Sequence, residues 1–385
     1  MPRNRVIYQS EAIFAAPTGT TTLTAASHGV RRVQSCNYNF AIQRQDINQY
    51  GELAAIDRLI IQEPTVSVDM SYYFEPTGFN ETSLGLRMNT FTNEAAATGA
   101  STISDHALDY IISSGANFDQ KNLFVLVSDP GIDANDTGAA AMASTGNYNG
   151  IIGIGNAFLT SWSLDAAVGA IPTVSCAFEG QNIVFTGWAS DGLPAGSTPQ
   201  VPNPSVVNGA DPGTVVTLPS GAGLFTAATE VSAVRPGDIT VVLTSASDNA
   251  PVLGFTETDL KIQSVNFGVT VGREPIRRLG SLFAFAREIT FPINCTMSIN
   301  AIVGDTIGAR LFTLISTDTA YNCAIKLVGK LGGTSDRTAY ITLKNAKIDS
   351  QNITSSIGPN KALTLELSSQ IGRNSGLHLY GRAAI

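Results

Sequence analysis

The side chains that most often carry catalysis or bind metal ions are few in this sequence of 385 residues. Three histidines and four cysteines are present: His28, His106, His378, Cys36, Cys176, Cys295 and Cys323. His106 and Asp109 could share one face of a helix, but one such pair falls far short of a metal-ligand set. The cysteines have no paired spacing, and Cys36, Cys176 and Cys295 fall on the apolar side of strand patterns, which predicts reduced core thiols in a cytosolic setting. We expect neither a metal ion nor a cofactor.

Sequence motifs of nucleotide binding and of nucleophilic catalysis are missing as well. The segment GIIGIGNAF, which begins at Gly150, superficially suggests a glycine-rich nucleotide loop. It lacks the G-x-G-x-x-G spacing, and the matching segment AYITLKNAK has no such glycines, so the better prediction is a strand. The chain has no G-x-S-x-G motif, no phosphate loop and no carboxylate pair in a signature context. The sequence therefore predicts a protein that is not an enzyme.

The composition has few charges for a chain of this length. Charged residues make up 14% of it, where about 25% is usual for a soluble domain, and the mean hydropathy is +0.12. Either the core is large and well packed, or other copies of the chain cover much of the surface. Gly, Ser, Thr and Asn at places where Lys and Glu normally stand favour the second explanation. The net charge of −8 argues against a surface that binds nucleic acid, although not against one that DNA passes.

Two blocks of sequence recur in the same order in the two halves of the chain. Val33–Leu53 reads VQSCNYNFAIQRQDINQYGEL, and Ile262–Leu282 reads IQSVNFGVTVGREPIRRLGSL. Several residues of the first block recur 229 positions later (263 − 34 for the first of them), among them Gln34, Ser35, Asn37, Arg44, Gly51 and Leu53. In the second block, NAFLTSWSLDAAVG from Asn156 matches NAKIDSQNITSSIG from Asn345, 189 positions later (345 − 156). The shared order predicts two copies of one domain.

The repeat sets the predicted domain boundaries. We place the first domain at residues 1–185 and the second at residues 236–385. Because the offset falls by 40 between the blocks (229 − 189), the first copy must contain extra residues, which we assign to the polar stretches 75–102 and 129–150. Their composition predicts surface loops on the outside of the fold. Residues 186–235 contain a Pro/Gly-rich run that predicts a linker or an exposed loop.

Apolar and polar residues alternate in both copies, and this pattern predicts strands with one buried face. The apolar members are Cys36, Tyr38, Phe40 and Ile42; Val66, Val68, Met70 and Tyr72; Val265, Phe267, Val269 and Val271; and Ile293, Cys295, Met297 and Ile299. Asp105–Ser113 is the best helix candidate, with Ser104 as N-cap and Gly115 beyond its end, and Thr306–Ile315 is its counterpart. The predicted fold is mainly β, with two tandem β-sandwich or partial-barrel domains that each contain one short helix.

The polar faces of these strands contain no lysine or arginine. A solvent-exposed sheet face normally carries several, and long basic side chains are also what binds phosphate. A face without them suits the wall of a channel along which DNA slides, or a polar interface between proteins. The positions that we expect to face such a lumen are Ser35, Asn37, Asn39, Ser67, Asp69, Ser71, Ser264, Asn266, Thr270, Asn294, Thr296, Ser298 and Asn300.

The connection after the first strand of each copy is long for a hairpin, since it spans about 20 residues where two to five are usual. It reads RQDINQYG in the first copy and REPIRRLG in the second. A long segment with an arginine, a glycine and apolar side chains is a candidate arm that docks on a neighbouring subunit; a well-packed surface loop is the alternative. The residues assigned to the two arms are Arg44, Ile47, Tyr50, Gly51, Arg273, Ile276, Leu279 and Gly280.

Two stretches of the chain resemble the major tail tube proteins of long-tailed bacteriophages. Val33–Phe74 carries V-Q-S-x-N-Y-x-F, R-Q-x-x-N-Q-Y-G-x-L-A and P-T-V-S-V-D-x-S-Y-Y, and Ile262–Val303 carries R-E-P-I-x-R-L-G-S-x-F-A-F-A-R. The resemblance implies a small β-sandwich with a helix, six copies to a ring, and rings stacked into a tube whose inner sheets join into one barrel. In duplicated members of this kind, three chains build a ring with pseudo-six-fold symmetry.

The resemblance also implies a role and a location. The chain would be a structural virion protein of the tail, assembled in the host cytoplasm, with its own copies and other tail proteins as partners. Genomic DNA would be ejected through the lumen without specific binding, and no membrane would be involved. Another virion component, such as a baseplate hub, a tube terminator or a capsid decoration protein, is the main alternative. A secreted adhesin or pilin-like protein is disfavoured, because the N-terminal residues contain no apolar run of signal-peptide length.

Overall fold

The computed structural model describes residues 11–91, 105–113, 119–128, 148–186, 200–207, 213–218, 234–246, 261–281, 283–284, 286–302, 319–329, 337–354, 362–372 and 374–381. In these residues the chain is mainly β, with large antiparallel sheets, as the sequence predicts. The strands of the first part are β1 (Glu11–Pro17), β2 (Gly29–Val30), β3 (Val33–Ala41), β4 (Arg44–Ile47), β5 (Asp57–Ile60), β6 (Thr65–Tyr73), β7 (Met88–Thr90), β8 (Gln120–Ser128), β9 (Tyr148–Ala167), β10 (Thr173–Gly180), β11 (Asn182–Thr186), β12 (Gln200–Pro202) and β13 (Val215–Thr217).

The strands of the second part are β14 (Ile239–Ser245), β15 (Lys261–Thr270), β16 (Arg273–Ile276), β17 (Ala286–Ile289), β18 (Asn294–Ile302), β19 (Tyr321–Gly329), β20 (Arg337–Thr354), β21 (Ala362–Gln370) and β22 (Gly376–Gly381). Three short helices are described: α1 (Ala25–His28), α2 (Phe79–Ser83) and α3 (Asp109–Ser113). A 3-10 turn, Pro236–Asp238, precedes β14.

The long strands β9 and β20 each run through two sheets. The first part of β9 pairs with β8 and β11, and its last part pairs with β10. The change falls at Asn156, whose φ of 51° lies in the left-handed region that asparagine tolerates, and whose N–H donates to Asn122 Oδ1 at 3.2 Å. In β20 the same role falls to Asn345, with a φ of 53° and a 2.9 Å bond to Asn322 Oδ1. The asparagines that recur in the sequence therefore mark where each long strand changes sheet.

Eight strands form one continuous antiparallel inner sheet, in the order β20–β21–β18–β15–β9–β10–β6–β3. The two halves of the chain meet inside it, where β15 pairs with β9 and Phe267 lies opposite Leu164. We call this pairing the internal junction. It leaves β3 at one edge of the inner sheet and the last part of β20, which pairs with β21, at the other.

The strand pairs of the two halves have matching registers in the inner sheet. In β3–β6, Ser35 lies opposite Ser71, and in β15–β18, Ser264 lies opposite Asn300. The same offset of 229 relates Ser35 to Ser264 and Ser71 to Asn300 (264 − 35 = 300 − 71). Each pair also has a β-bulge at the matching place, immediately before the serine.

The pairs β9–β10 and β20–β21 match in the same way. Asp165 lies opposite Thr173 in the first pair, and Thr354 lies opposite Ala362 in the second. The offset is again the same on both strands (354 − 165 = 362 − 173), and the bulges again coincide. The two offsets read from the backbone pairing equal those read from the sequence.

The apolar faces of the inner strands pack into one hydrophobic core that extends through both halves. Trp162 and Phe267 are completely buried on either side of the internal junction. Cys176, Cys295 and Cys323 are buried free thiols. Burial raises the pKa of Cys295 to about 12, so this thiol stays protonated and packs as a small apolar group.

The predicted surface loop at 75–102 is wrong for residues 75–91, which pack into the core. Helix α2 buries Glu81, and Leu84 and Leu86 follow it into the interior. Strand β7 then pairs in parallel with β22, with Met88 opposite Leu379. The physical reason is that a few apolar side chains among Gly, Asn and Thr anchor this stretch, although its average composition is that of a loop. Residues 92–102 and most of the second predicted insertion, 129–147, lie outside the described residues.

The predicted helix Asp105–Ser113 is present only in its last part, α3. Ahead of it, the Ala107 N–H donates to the carbonyl of Leu377 at 2.8 Å, and this bond to β22 replaces the first helical turn. Three further predicted features lie outside the described residues: Ser104, Gly115 and the counterpart helix Thr306–Ile315.

Part of the segment 186–235, predicted as a linker or an exposed loop, packs on the first half. Strands β12 and β13 pair, and Val201 is buried in a small cluster with Phe124. Gly155 makes room for this segment, because a Cβ there would lie 1.9 Å from the carbonyl oxygen of Pro204. The glycines of GIIGIGNAF thus allow close backbone approach, and the prediction that this segment is a strand is confirmed.

Glu81 provides a test of the core through pH. Burial raises the pKa of its carboxyl from 4.5 to about 7, and the Tyr72 hydroxyl donates to it at 3.0 Å. Because the folded chain then holds this proton more tightly than the unfolded chain, the free energy of unfolding falls as the pH rises from about 4.5 to about 7. We expect Glu81→Gln to remove a pH-dependent loss on the order of 2 kcal/mol. Guanidinium unfolding of both proteins at about pH 5 and about pH 8 measures it, and parallel pH profiles would contradict the assignment.

Candidate assembly surfaces

One face of the inner sheet is polar from edge to edge, and we call it the polar face. A row of directly facing positions crosses all eight strands: Ser35, Ser71, Ser175, Ser163, Gly268, Thr296, Ser368 and Lys347. The residues predicted to face a lumen all stand on this face at exposed or half-buried positions: Ser35, Asn37, Asn39, Ser67, Asp69, Ser71, Ser264, Asn266, Thr270, Asn294, Thr296, Ser298 and Asn300. The register therefore brings both predicted sets together on one surface.

Hydrogen bonds between neighbouring strands hold the short side chains of the polar face in place. The Ser35 and Ser71 hydroxyls lie 2.6 Å apart at the β3 edge. Near the other end, the Asn300 amide donates to the Ser264 hydroxyl at 3.0 Å and accepts from the Thr364 hydroxyl at 2.7 Å. Side chains that bond to each other project little from the sheet, so this face is low and hydrated.

The polar face carries charges of both signs, with an excess of acids. Asp69, Asp165 and Glu366 stand on three different strands of this face. The lysines that share the face are Lys261, at the start of β15, and Lys347 in β20. The face as a whole thus repels a phosphate backbone slightly more than it attracts one.

The other half of the polar face was not predicted from the sequence, and it comes from four further strands of the inner sheet: β9, β10, β20 and β21. These strands contribute Ser161, Ser163, Asp165, Thr173, Ser175, Ser350, Asn352, Thr354, Thr364, Glu366 and Ser368. Alternation in SWSLD and TVSCAF was available as a signal for two of them. Alternation alone, however, does not show that these strands lie beside β6 and β15, since that pairing is non-local.

Strand β3 corrects one expectation, namely that its apolar side chains point into the core. Tyr38, Phe40 and Ile42 are 37%, 48% and 41% exposed, and Cys36 is half-buried. The core ends at β6, and β3 extends the sheet beyond it as an edge strand. We call Tyr38, Phe40 and Ile42 the exposed apolar row.

The matching row on β15 has the opposite environment. Phe267, Val269 and Val271 are the counterparts of the exposed apolar row in the second copy, and they are at most 2% exposed. They are covered because β15 has β9 beside it, with Val269 opposite Trp162. Apolar side chains in the same register are therefore buried on β15, where a neighbouring half is present, and exposed on β3, where none is.

The opposite edge of the inner sheet is also unpaired in the part of the chain that the structure describes. Residues 347–354 of β20 pair with β21 on one side only, whereas β22 pairs with the earlier part of β20. Ile353 is 54% exposed there, although its counterpart Leu164 in β9 is completely buried. An unpaired edge with exposed apolar residues is a surface suited to adding another strand.

The first predicted arm is the hairpin β4–β5, which stands out from the sheet. Arg44 and Ile47 lie in β4, and Tyr50 and Gly51 lie at the tip, where the φ of Gly51 is 90°. Every residue from Arg44 to Ala54 is exposed. Docking of this arm on a neighbour stays a prediction.

The second predicted arm, the hairpin β16–β17, repeats the shape of the first and docks on the first half of its own chain. Arg273 and Ile276 lie in β16, and Leu279 and Gly280 lie at the tip, where the φ of Gly280 is 84°. The tip is exposed, but Arg273 binds Asp119. This arm therefore crosses from one half to the other.

Two arginines fix the second arm through an ion-pair cluster that we call the clasp. Arg273 donates to both carboxylate oxygens of Asp119, one of them at 2.9 Å. Arg287 binds Glu63 at 3.0 Å and also Glu179, and only 5% of its side chain is exposed. Arg273 was predicted from the sequence, but Arg287 and the three acids were not, because no regular sequence spacing relates them to one another.

Phe158 lies beneath the clasp. The guanidinium carbons of Arg273 and Arg287 stand 4.8 Å and 5.6 Å from its ring centroid. Phe158 faces Glu179 across β9–β10, so both belong to the end of the polar face. A nearly dry cluster of two cations and three acids, stacked on a ring, holds the two halves in one arrangement.

At the level of sequence, no protein-family model and no curated protein matches the chain. Among solved structures, it is similar to part of the virion of a native gene transfer agent particle, with 11% identity, a TM-score of 0.25 and coverage of 38% of this chain and 97% of the other. It is also similar to the SPP1 tail tube (11%, 0.26, 40% and 80%) and to an Hcp protein (10%, 0.24, 37% and 96%). Scores this low do not show a shared fold.

None of the helices in the described residues is long and apolar enough to cross a membrane. No group of three or more His, Cys, Asp or Glu side chains in that part of the chain could hold a metal ion.

The exposed apolar row can be tested against its buried counterpart. We expect Tyr38→Thr with Phe40→Thr to lower the free energy of unfolding by about 1 kcal/mol or less, because both side chains are largely exposed. The matched change, Phe267→Thr with Val269→Thr, should cost about 5 kcal/mol or more. Guanidinium unfolding gives both values. Equal losses of stability would contradict the assignment of β3 as an edge.

Proposed function

We propose that this chain is a duplicated structural protein of a phage-type tail, which polymerises into the hollow tube through which genomic DNA is ejected. In this proposal, residues 1–185 and 236–385 are two copies of one tube domain. Copies of the chain join edge to edge into closed rings, the rings stack, and the polar face lines the lumen. No catalytic step, cofactor or membrane is involved.

The observation that carries the proposal is the unequal burial of two matching rows. The row on β15 is buried because the internal junction supplies a neighbour, whereas the exposed apolar row on β3 has none within the chain. Since both rows have the same register against their partner strands, the missing neighbour of β3 should look like β9. The strand that matches β9 is β20, whose end is the other unpaired edge. A second copy of the chain therefore supplies what each edge lacks.

The internal junction also specifies the register of this contact. Phe267 faces Leu164 inside the chain. By the offset of 229, Phe267 corresponds to Tyr38 (267 − 229), and by the offset of 189, Leu164 corresponds to Ile353 (164 + 189). Tyr38 of one chain should therefore face Ile353 of the next chain. Both are exposed and apolar, as a pair that is buried only on assembly should be.

The number of chains per ring follows from the size of the channel. Three chains of eight strands give a barrel of 24 strands. With about 4.8 Å between strands and a tilt of about 40°, its backbone circumference is about 150 Å and its diameter about 48 Å. Side chains on the wall leave about 38 Å, whereas two chains would leave only about 22 Å. Three is the smallest number that leaves room for a hydrated DNA duplex, so we propose trimeric rings of six domains.

The chemistry of the polar face fits passage of DNA. DNA carries one charge for about every 1.7 Å of its axis, so cations fixed to the wall would pair with phosphates at every step. The polar face has mainly short hydroxyl and amide groups instead, and the acids Asp69, Asp165 and Glu366 outnumber its lysines, Lys261 and Lys347. Such a wall keeps its water and holds the duplex weakly.

Disulfide crosslinking tests the ring. In a Cys36→Val background, Asn39→Cys with Asn352→Cys places two thiols at facing positions of the proposed contact, since the internal pair Gly268 and Ser163 has the same place. Mild oxidation of assembled protein should give covalent trimers and no larger species on a denaturing gel. The control is Ser35→Cys with Asn352→Cys, in which the first thiol lies four residues out of register along β3 (39 − 35). This variant should stay monomeric.

A ladder up to six chains would contradict the trimer and leave the tube intact. Monodisperse globules at high concentration, with neither rings nor hollow tubes in electron micrographs, would overturn the tube itself. Closed rings that never stack would favour a tube terminator or a baseplate hub instead.

A charge test addresses the lumen. Asn37→Lys with Asn266→Lys adds cations to the middle of β3 and β15 on the polar face, where both side chains are exposed. We expect tubes to assemble normally and ejection to slow several-fold, because each new cation pairs with phosphate. Particles that carry Asn37→Gln with Asn266→Gln are the matched control. Ejection of DNA by the lysine variant at the control rate would contradict the assignment of this face to the lumen.

A further inference from the structure

We propose that Phe40 and Gln351 form the central packing pair of the seam, the contact in which β3 of one chain meets β20 of the next. The sizes of these two side chains then decide which sheet edges can join: unlike halves pair, and like halves are excluded. This inference rests on the proposed edge-to-edge ring. It adds a rule of partner choice, which backbone pairing alone does not supply.

Partner choice matters because the chain has two edges of each kind. Strands β3 and β15 are counterparts, and so are β9 and the last part of β20. Backbone groups cannot tell counterparts apart, since every strand offers the same N–H and C=O groups. The contacts β3–β9 and β15–β20 would therefore join like halves. They would place the two halves of one chain in different rings and link the rings into a network.

The internal junction shows which side-chain sizes an established contact accepts. In the row of core-facing positions that crosses it, Trp162 has Val269 on one side and Cys176 on the other. Cys295 follows Val269 on the next strand. All four side chains are at most 3% exposed. One indole therefore fills this part of a close-packed core, and only small side chains lie beside it in the sheet.

The seam has the same pattern with the aromatic side chain on the other strand. The offset of 229 relates Phe40 to Val269 (269 − 40), and the offset of 189 relates Trp162 to Gln351 (351 − 162). Phenylalanine thus takes the place of the valine, and glutamine takes the place of the tryptophan. Each contact has one aromatic ring and one smaller side chain at its centre.

Gln351 also suits an edge that meets water before assembly. It is half-buried, and Ile353, two residues further along the same face, is 54% exposed. An indole in place of the amide would enlarge this exposed apolar surface and favour aggregation. The methylene groups of glutamine can still pack against the ring of Phe40, which is 48% exposed in the single chain.

Contacts between like halves would break the pattern in both directions. In β3–β9, Phe40 would face Trp162 where the core has room for a valine, and overpacking forces side chains away from their preferred rotamers. In β15–β20, Val269 would face Gln351, and the missing ring would leave a cavity beside an amide group. Both like-half contacts are therefore weaker than both unlike-half contacts, so the halves alternate around the ring.

Two single substitutions place the disfavoured pairs at the seam itself. Gln351→Trp sets Phe40 against an indole, as β3–β9 would, and Phe40→Val sets a valine against Gln351, as β15–β20 would. We expect each to raise the dissociation constant of the trimer at least about 10-fold. The double variant recreates the pair of the internal junction, and it should return to within about 3-fold of the wild type.

Sedimentation velocity measures the dissociation constants of the four proteins. Asn352→Trp is the matched control, because it adds the same side chain one position along β20 but on the polar face. Phe40→Val should not rescue it. The substituted positions are exposed or half-buried in the single chain, so guanidinium unfolding of the monomers should change little.

The outcomes separate this inference from the ring. Single variants that associate like the wild type, or a double variant as weak as the single ones, would overturn partner choice by size and leave the ring standing. A wild type that neither associates nor forms tubes would overturn the ring, and the central pair with it.

Discussion

The backbone pairing of β15 with β9 is the constraint on which the rest of this structure depends. It fuses two four-stranded halves into one sheet, and its register decides which side chains share a face. A slip of one residue would move Phe267 from the core to the polar face and Asn266 into the core. The same pairing leaves β3 and the end of β20 as edges, so it also determines which surfaces the chain presents to other molecules.

Alternation and repetition in the sequence were enough to predict strands β3, β6, β15 and β18 and the half of the polar face that these strands form. They succeed because both are local: a strand such as Thr65–Tyr73 shows its two faces in its own residues. The match between Asn156 and Asn345 can be recognised in the sequence, but their structural role cannot. Only the structure shows that each adopts a left-handed conformation where a long strand changes sheet.

The features that sequence could not supply are those that depend on distant neighbours. Nothing in the residues of β3 says that Tyr38 and Phe40 lie beyond the core, because a buried row and a row awaiting a partner have the same pattern. The two acids that bind Arg287 are 108 and 224 residues away from it along the chain, and no regular spacing relates them to it. Leu84 and Leu86 fill the core from a stretch whose composition is that of a loop.

The role of the clasp at the internal junction can be explained in physical terms. The covalently joined halves meet at an effective concentration in the millimolar range, so their contact needs little added affinity. The clasp therefore serves geometry there: buried, paired charges tolerate only one arrangement, and misalignment leaves an ion without a partner. In the proposed ring, the contact between chains would instead depend on backbone pairing and apolar burial, which can form, separate and form again until the ring closes.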